Sequence, residues 1–403
     1  MKKVNLREKL STEVFEAISE CMKISEICGI KIYLVGGIVR DILLSKRLHD
    51  VDITVEGNAK EFVEILDCYI KTKSVKYNET LPTAKVVFSN GVEIDFASTR
   101  QEVYDNFGDL PRIVKTGCSL EEDIKRRDFT VNSLIVSLNK ENLFELIDLT
   151  NGLEDLKNKK LRILHKKSFL DDPSRMIRGL KFAQRLNFAL EEETKKLQEE
   201  YLKNPLENIP LKRVEKEIVD LFSLNFASCF DEFVAQKLYK IFGVDFTEKI
   251  TGFDLKMALF DYKIDENDIW RLYFLPIFSK SEIPPKTNLT VREKKIVENI
   301  HEFLKNKPIF EDNFSIFEYF KDKDYLSAIF YGIFINKRIA KKYFKNKNTK
   351  IKITGNDLIN EGFEQGRIFS EIQTAVLKEK LNNGLKNKNE ELDFVRKNYP
   401  NKR

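Results

Sequence analysis

From about residue 153 strand signals almost vanish from this sequence. Before that point, β-branched and alternating runs fill a block from 30 to 100. Beyond it, apolar positions recur at helical spacing almost to the end. Strands and helices segregated in this way predict an α+β fold, with a small mixed sheet in an N-terminal head and a long all-helical extension. At 403 residues the chain is also too long for one ordinary core, so two to four modules are expected.

The head begins with helical spacing over 5–28, ending near Gly29. "IKIYLVGG" reads as a short buried strand, and "IVRDILL" starts a helix directly after the glycines. "DVDITVEG" is a second strand and "NAKEFVEILDCYI" a helix. "TAKVVFSNGVEIDFAST" is a hairpin, because Asn90–Gly91 sits between two β-rich runs. In the extension the clearer helices are 171–188, 191–203, 211–223, 228–241, 290–306 and 322–345. Pro205, Pro210, Pro276, Pro284 and Pro285 mark breaks between groups of them.

Composition narrows the function classes. A 42% hydrophobic and 33% charged chain suits a soluble globular protein. No apolar run reaches bilayer length and "MKKVNLREKL" lacks a signal-peptide core, so the expectation is a cytoplasmic protein without a membrane partner. Five scattered cysteines without a C-x-x-C pair read as reduced thiols. Three distant histidines (His49, His165, His301) disfavour chemistry built on several imidazoles. The net charge of +5 is weak support for a nucleic-acid partner, but the runs at 157–167 and 337–352 are strongly basic.

The chemistry concentrates in "LVGGIVRDILLSKRLHDVDITVEG", residues 34–57. Gly36 and Gly37 at a strand-to-helix turn let backbone N–H groups approach an anion, and Arg40 lies one turn into the helix, placed for a phosphate oxygen. Asp50 and Asp52 alternate by two on a strand and so share a face. Carboxylates placed together repel unless a cation lies between them, and hard oxygen ligands suit Mg²⁺. Asp95, on the hairpin strand able to pair alongside, is a third acid. Three acids beside a phosphate-binding turn describe a two-metal phosphoryl-transfer site.

G-G, Arg-Asp, D-x-D and a distal aspartate resemble the DNA polymerase beta nucleotidyltransferase superfamily. "RRDFTVNSL" at 126–134 resembles the second signature of one branch, the class II (bacterial-type) tRNA nucleotidyltransferases and poly(A) polymerases. "DLTNGLEDLKNKKLR" at 148–162 is similar to the branch's connector, "DDPSRMIRGLKFAQRLNF" at 171–188 to its nucleotide-selecting helix, and "IPLKRVEKEI" at 209–218 to the next neck helix. The resemblance spans about half the chain. It implies a polymerase-beta-like head at 1–152, a helical neck at 153–225, a body at 226–335 and a basic tail at 336–403 that binds tRNA.

What the resemblance implies for function is addition of the 3′-terminal CCA to tRNA from CTP and ATP, with no nucleic-acid template and no DNA partner. Asp50 and Asp52 would hold two Mg²⁺ ions, and Asp95 would complete that site or accept the hydroxyl proton. Gly36, Gly37 and Arg40 would hold phosphates, while Arg127, Asp128 and Asn132 would grip ribose and triphosphate. Asp172 and Arg175, three apart on one helix face, would read the Watson–Crick edge of the base, with Arg178 in support. The "TRQEVYDNFGDLPRIVKTGC" stretch at 99–118 aligns with a mobile segment of such heads.

The same motifs are compatible with CC-only or A-only addition, with a poly(A) polymerase, or with an RNA-binding module that has lost catalysis. Two departures stand out. Asp171 replaces the usual Glu, and Asn151 stands where glycine is common, a position Asn serves by tolerating a left-handed backbone. Asp148, Gly152 and Asp155 read as groups that shape and cap a hinge.

Overall fold

The structure, a computed structural model, describes residues 2–48, 50–206, 211–224, 227–283, 287 and 289–400. The expectations for His49, Ile209, Pro210, Pro284 and Pro285 lie outside the described residues. The chain is α+β, and the described residues form two compact units. One comprises Met1–Glu217 with Gln236–Ile241, the other Ile218–Ala235 with Phe242–Arg403. The stretches read as head and neck fall mostly in the first, and those read as body and tail mostly in the second.

The first unit is built on a seven-stranded mixed sheet. Its strands are β1 (Ile32–Val35), β2 (Asp52–Val55), β3 (Ser74–Tyr77), β4 (Thr83–Val87) and β5 (Glu93–Ser98), followed after a separate ribbon, β6 (Arg100–Val103) with β7 (Arg112–Thr116), by β8 (Ile135–Ser137) and β9 (Leu146–Ile147). The sheet order is β3-β4-β5-β2-β1-β8-β9, with β2 and β5 parallel and the other neighbours antiparallel. In β5 the alternation puts Ile94, Phe96 and Ser98 inside. The Ala59–Ile70 helix covers that face, with Phe62 against Phe96 at 5.7 Å between ring centroids. Each fully buried phenylalanine contributes about 1.5–3 kcal/mol. The opposite parity, which includes Asp95, is thereby left to the other face of the sheet.

Several elements differ from the sequence reading. The sheet is not confined to 30–100: β8 and β9 join it beside β1, although neither is long enough to give a clear period-2 signal. The opening helix breaks at Leu10–Ser11 and restarts as Thr12–Cys28, where the Ser11 hydroxyl accepts from Val14 N. The 228–241 helix is Ala227–Ala235 followed by a tighter 3₁₀ segment, Leu238–Phe242. The 322–345 helix splits into Tyr325–Phe334 and Lys337–Asn346, because the Asn336 side chain caps the second.

The largest correction concerns 171–188, which is not one helix. Ser168–Asp171 ends at Asp172, which is extended (φ −147°, ψ 94°), and Ser174–Leu186 starts after Pro173. A residue preceding proline is driven out of the helical region. Asp172 therefore sits at the junction as a cap, its Oδ1 accepting from Ser174 N (3.1 Å) and Oγ (2.6 Å).

The second unit is helical, with an aromatic core in which Phe222 stacks on Tyr273 at 5.7 Å. Residues 351–399 add a smaller core of Ile353, Leu358, Ile372, Val376 and Val395. Glu391, fully buried, ties this part together by accepting from Lys352 N, Ile353 N and the Lys380 ammonium. No helix among the described residues is long and apolar enough to cross a membrane.

Candidate active site

Strand register assembles the acids. Asp52 on β2 is the direct partner of Asp95 on β5, which in turn faces Lys85 on β4. One row on one face of the sheet thus reads Asp52, Asp95, Lys85, with Lys85 Nζ 3.0 Å from Asp95 Oδ2. Asp50 lies just before β2 and is exposed; the strand begins only at Asp52. Burial, then the negative charges of Asp95 and Asp50, push Asp52 up to about 6, against the opposing pull of Arg127 and Lys85. Asp52 therefore sits beside two like-charged carboxylates that disfavour its ionised form. Such an all-oxygen donor set, with its charge unfavourable as it stands, fits a divalent cation such as Mg²⁺. Among the described residues no three His, Cys, Asp or Glu side chains enclose a metal by themselves. Ligands from a bound phosphate would complete the shell, as is usual for Mg²⁺.

Beside the row lies the glycine turn. Gly36 has φ 74° and ψ −127°, a conformation that L side chains rarely adopt, and it donates its N–H to Leu134 O. A Cβ there would lie 3.5 Å from Asn132 O and 3.7 Å from Arg127 Nη1, so Arg127 reaches the turn itself. Arg127 is fixed by Asp123 Oδ2 (2.8 Å to Nη2) and lies 3.4 Å from Thr54 Oγ1. It is the cation that links the turn to the acids.

Arg40 is placed differently from its sequence reading. It is buried, its Nε and Nη2 donate to Asp41, and its Nη1 donates to Asn132 Oδ1 (2.5 Å). Asn132 Nδ2 then donates to Asp128 Oδ1 (3.1 Å). Asp128 Oδ2 accepts from Nε and Nη2 of Arg178, and Arg178 Nη1 donates to Glu217. Both guanidiniums lie over the Phe182 ring, that of Arg40 at 5.2 Å and that of Arg178 at 5.5 Å from its centroid. Four residues singled out in the sequence thus form one continuous chain of charge-assisted bonds. Burial pushes Asp128 up, but the Arg178 charge and the donors Asn132 and Phe129 N outweigh it and hold the carboxyl at about 2.

Asp172 and Arg175 are neighbours, Nε to Oδ2 3.8 Å, and both are buried. Arg175 Nη1 donates to Ser168 Oγ (2.6 Å) and Nη2 to Arg126 O (2.7 Å). Asp172 Oδ2 sits 2.6 Å from Arg213 Nη2, off the hydrogen-bonding direction, and has no directed donor. Asp171 faces His165 (3.7 Å) in a cavity whose lining also includes Tyr104, Phe107, Arg126 and Arg175. In the connector, Asp148 accepts from Thr150, Gly152 and Leu153 N, and Asp155 accepts from Thr130 Oγ1 and Arg162. Asn151 is left-handed (φ 59°), and a Cβ on Gly152 would meet Thr130 O at 2.3 Å. These are the capping and shaping roles read from the sequence.

Sequence reasoning missed Asp123, Lys85 and Arg213. Asp123 is almost fully buried and holds both Arg126 and Arg127. Burial raises its carboxyl, yet the charges of those two arginines keep it below the usual range. An acid three and four positions before an Arg pair was the available signal. Lys85 becomes visible only once the hairpin register is known.

Residues 32–162 match the Poly A polymerase head domain. The A-adding tRNA nucleotidyltransferase of Geobacter sulfurreducens is 40% identical over 175 residues, which is 43% of this chain but only a fifth (20%) of that relative's length. The A-adding tRNA nucleotidyltransferase of Halalkalibacterium halodurans is 25% identical, with 98% of this chain and 95% of that protein covered. A solved CCA-adding enzyme in an apo form has the same fold: TM-score 0.83, 24% identity, and 98% of each chain covered.

Proposed function

We propose that this chain, which belongs to the family of class II tRNA nucleotidyltransferases and poly(A) polymerases, transfers nucleotides from CTP and ATP to the 3′ end of tRNA, building the terminal CCA with release of pyrophosphate. The observation that carries this reading is the row of Asp52 and Asp95 in register beside a glycine turn that Arg127 reaches. Solved proteins of this fold have been captured with ATP, with CTP and with tRNA, which supports the choice of partners.

Asp50 and Asp52 would hold two Mg²⁺ ions, which when bound supply Lewis-acid charge at the 3′-hydroxyl and at the leaving pyrophosphate. The residues of the chain do the rest. Gly36 and Gly37 expose backbone N–H groups to the triphosphate, and Arg127, fixed by Asp123, presents its guanidinium to phosphate oxygens. Arg40, Asn132, Asp128 and Arg178 set the ribose side of the site through their chain of bonds. Asp95, oriented by Lys85, receives the proton as the 3′-oxygen attacks the α-phosphorus and the bond to pyrophosphate breaks. Asp172 and Arg175 read the base. Asp172 Oδ2 lacks a directed donor and so accepts from the base amino group, while Arg175 exchanges its bond to Arg126 O for a base acceptor.

A second reading, addition of the final A alone, is favoured by the names of the two relatives above. Labelled CTP and ATP offered to tRNAs lacking CCA, ending in C and ending in CC test both. Incorporation of C followed by A supports the full CCA reading, C without A points to CC-only addition, A on the CC-ending tRNA alone supports the second reading, and repeated A without C points to a poly(A) polymerase.

A further inference from the structure

The second unit carries an aromatic stripe that its own packing does not use. On the Gly252–Asp261 helix, Leu255 and Ala258 are buried, whereas Phe253 and Phe260 are 64% and 76% exposed. They are seven residues apart and share one face. The helix is locked to the most basic helix of the unit, Lys337–Asn346. Asp261 pairs with Lys337 (2.5 Å) and Lys341 (2.9 Å), and the Tyr262 ring packs on Phe344 at 4.6 Å. That locking cancels Asp261, one of two acids flanking the stripe; the other, Asp254, accepts from Thr251 in the helix cap. Arg338, Lys342 and Lys345 on the neighbouring helix are exposed or partly so and enter no ion pair among the described residues.

Two large aromatic rings left in water beside a band of free cations match one chemistry in particular, a polyanion with flat apolar faces. We infer that Phe253 and Phe260 stack on unpaired or terminal base faces of the bound tRNA while the Lys337–Asn346 helix follows its phosphates. The three cations without an ion pair on the adjacent helix, Arg338, Lys342 and Lys345, favour a polyanion over an uncharged apolar partner. The inference rests on the tRNA reading above and deepens it, because it assigns part of RNA recognition to base faces in addition to charge.

The test is binding of the full chain to an unmodified tRNA transcript lacking CCA, measured across a salt series. Phe260→Ala should weaken binding about tenfold, and Phe253→Ala somewhat less, with the salt slope unchanged. Phe260→Tyr should retain affinity. Arg338→Ala with Lys342→Ala should instead flatten the slope by about 1.5. Because both phenylalanines are exposed, circular dichroism of the variants should match the wild type. If the wild type binds tRNA and both alanine variants bind within twofold of it, the stacking face is overturned while the tRNA reading stands. If the variants lose only self-association, the occupant is a second copy of the chain and the inference is likewise overturned. If the wild type itself binds no tRNA, the inference falls with the reading beneath it.

Discussion

Asp52 and Asp128 belong to the same compact unit, and both are acids close to the start of short elements, Asp52 opening β2 and Asp128 in the bend before the 3₁₀ turn Thr130–Asn132, yet their surroundings are opposite. Asp52 sits in a row with another carboxylate, near a third, and its carboxyl is pushed up to about 6. Asp128 receives donors from Arg178, Asn132 and its neighbouring backbone N–H and is held at about 2. The first region keeps negative charge underpaired, which fits the proposal that it receives a cation. The second pairs every charge, as befits a scaffold that must keep its geometry while substrates exchange. A buried or half-buried acid therefore says little until its neighbours are counted.

The strongest way to break the contrast is Asp52→Asn. Nucleotide incorporation should fall by on the order of 10³-fold or more while tRNA affinity stays within about twofold. In chelated, metal-free protein the same change should raise stability by about 1 kcal/mol, since it removes a desolvated charge from a like-charged group and part of that cost is screened by solvent. Activity within tenfold of wild type would remove Asp52 from the reaction. A loss of stability would remove the like-charge account.

Asp128→Ala should act with the opposite sign on stability. It leaves Arg178, Asn132 and Phe129 N without their acceptor and should destabilise the first unit by about 3 kcal/mol or more, read as a lowered thermal midpoint. An unchanged midpoint would mean that Glu217 alone suffices for Arg178.

Acid sharpens the same comparison at a smaller scale. A carboxyl held at about 2 in the folded chain, against its usual 3.8, contributes about 2 kcal/mol that is fully present above pH 4. Because the folded value is the lower one, this stabilisation is lost as pH falls through about 2. The stability gap between wild type and Asp128→Asn should therefore narrow by about that amount between pH 5 and pH 2, as measured by acid-shifted denaturant curves. A gap independent of pH would assign the effect of the substitution to shape, not charge.

The two regions were also unequally legible. Asp52 was legible as part of a strand, a purely local rule, and Asp95 needed only one assumption about pairing, whereas Asp50, read two positions earlier on the same strand, lies just before it. Lys85 needed the hairpin register as well, which the five residues between the strands do not fix. On the other side, the Arg40–Asn132–Asp128–Arg178 chain joins positions 138 apart in sequence and draws on two helices, a 3₁₀ turn and a bend, so residue types announced a site without disclosing who bonds whom. Arg40 is the clearest instance. Its place one turn into a helix suggested a phosphate contact, but the side chain is buried and each of its three nitrogens donates to Asp41 or Asn132. At Asp172 the signal was present, since Pro173 forbids a continuous helix, but helical periodicity on both sides concealed it. The strands β8 and β9 were invisible because two or three residues show no period.

Arg175 occupies the boundary between the two regions, fully paired like Asp128 yet proposed to change partners like the catalytic row. Its fork is held by Ser168 Oγ and Arg126 O, with Asp172 alongside. Lysine keeps the charge and loses the planar fork, so Arg175→Lys separates a reader from a strut. If Arg175 reads the base, the ratio of kcat/KM for CTP and ATP should shift about tenfold toward indifference, with tRNA affinity unchanged. If it only ties Ser168 to Arg126, both kcat/KM values should fall together and the ratio should hold. The second outcome would move Arg175 into the company of Asp128 and leave Asp172, with its one oxygen lacking a directed donor, as the base-facing group on this side of the site.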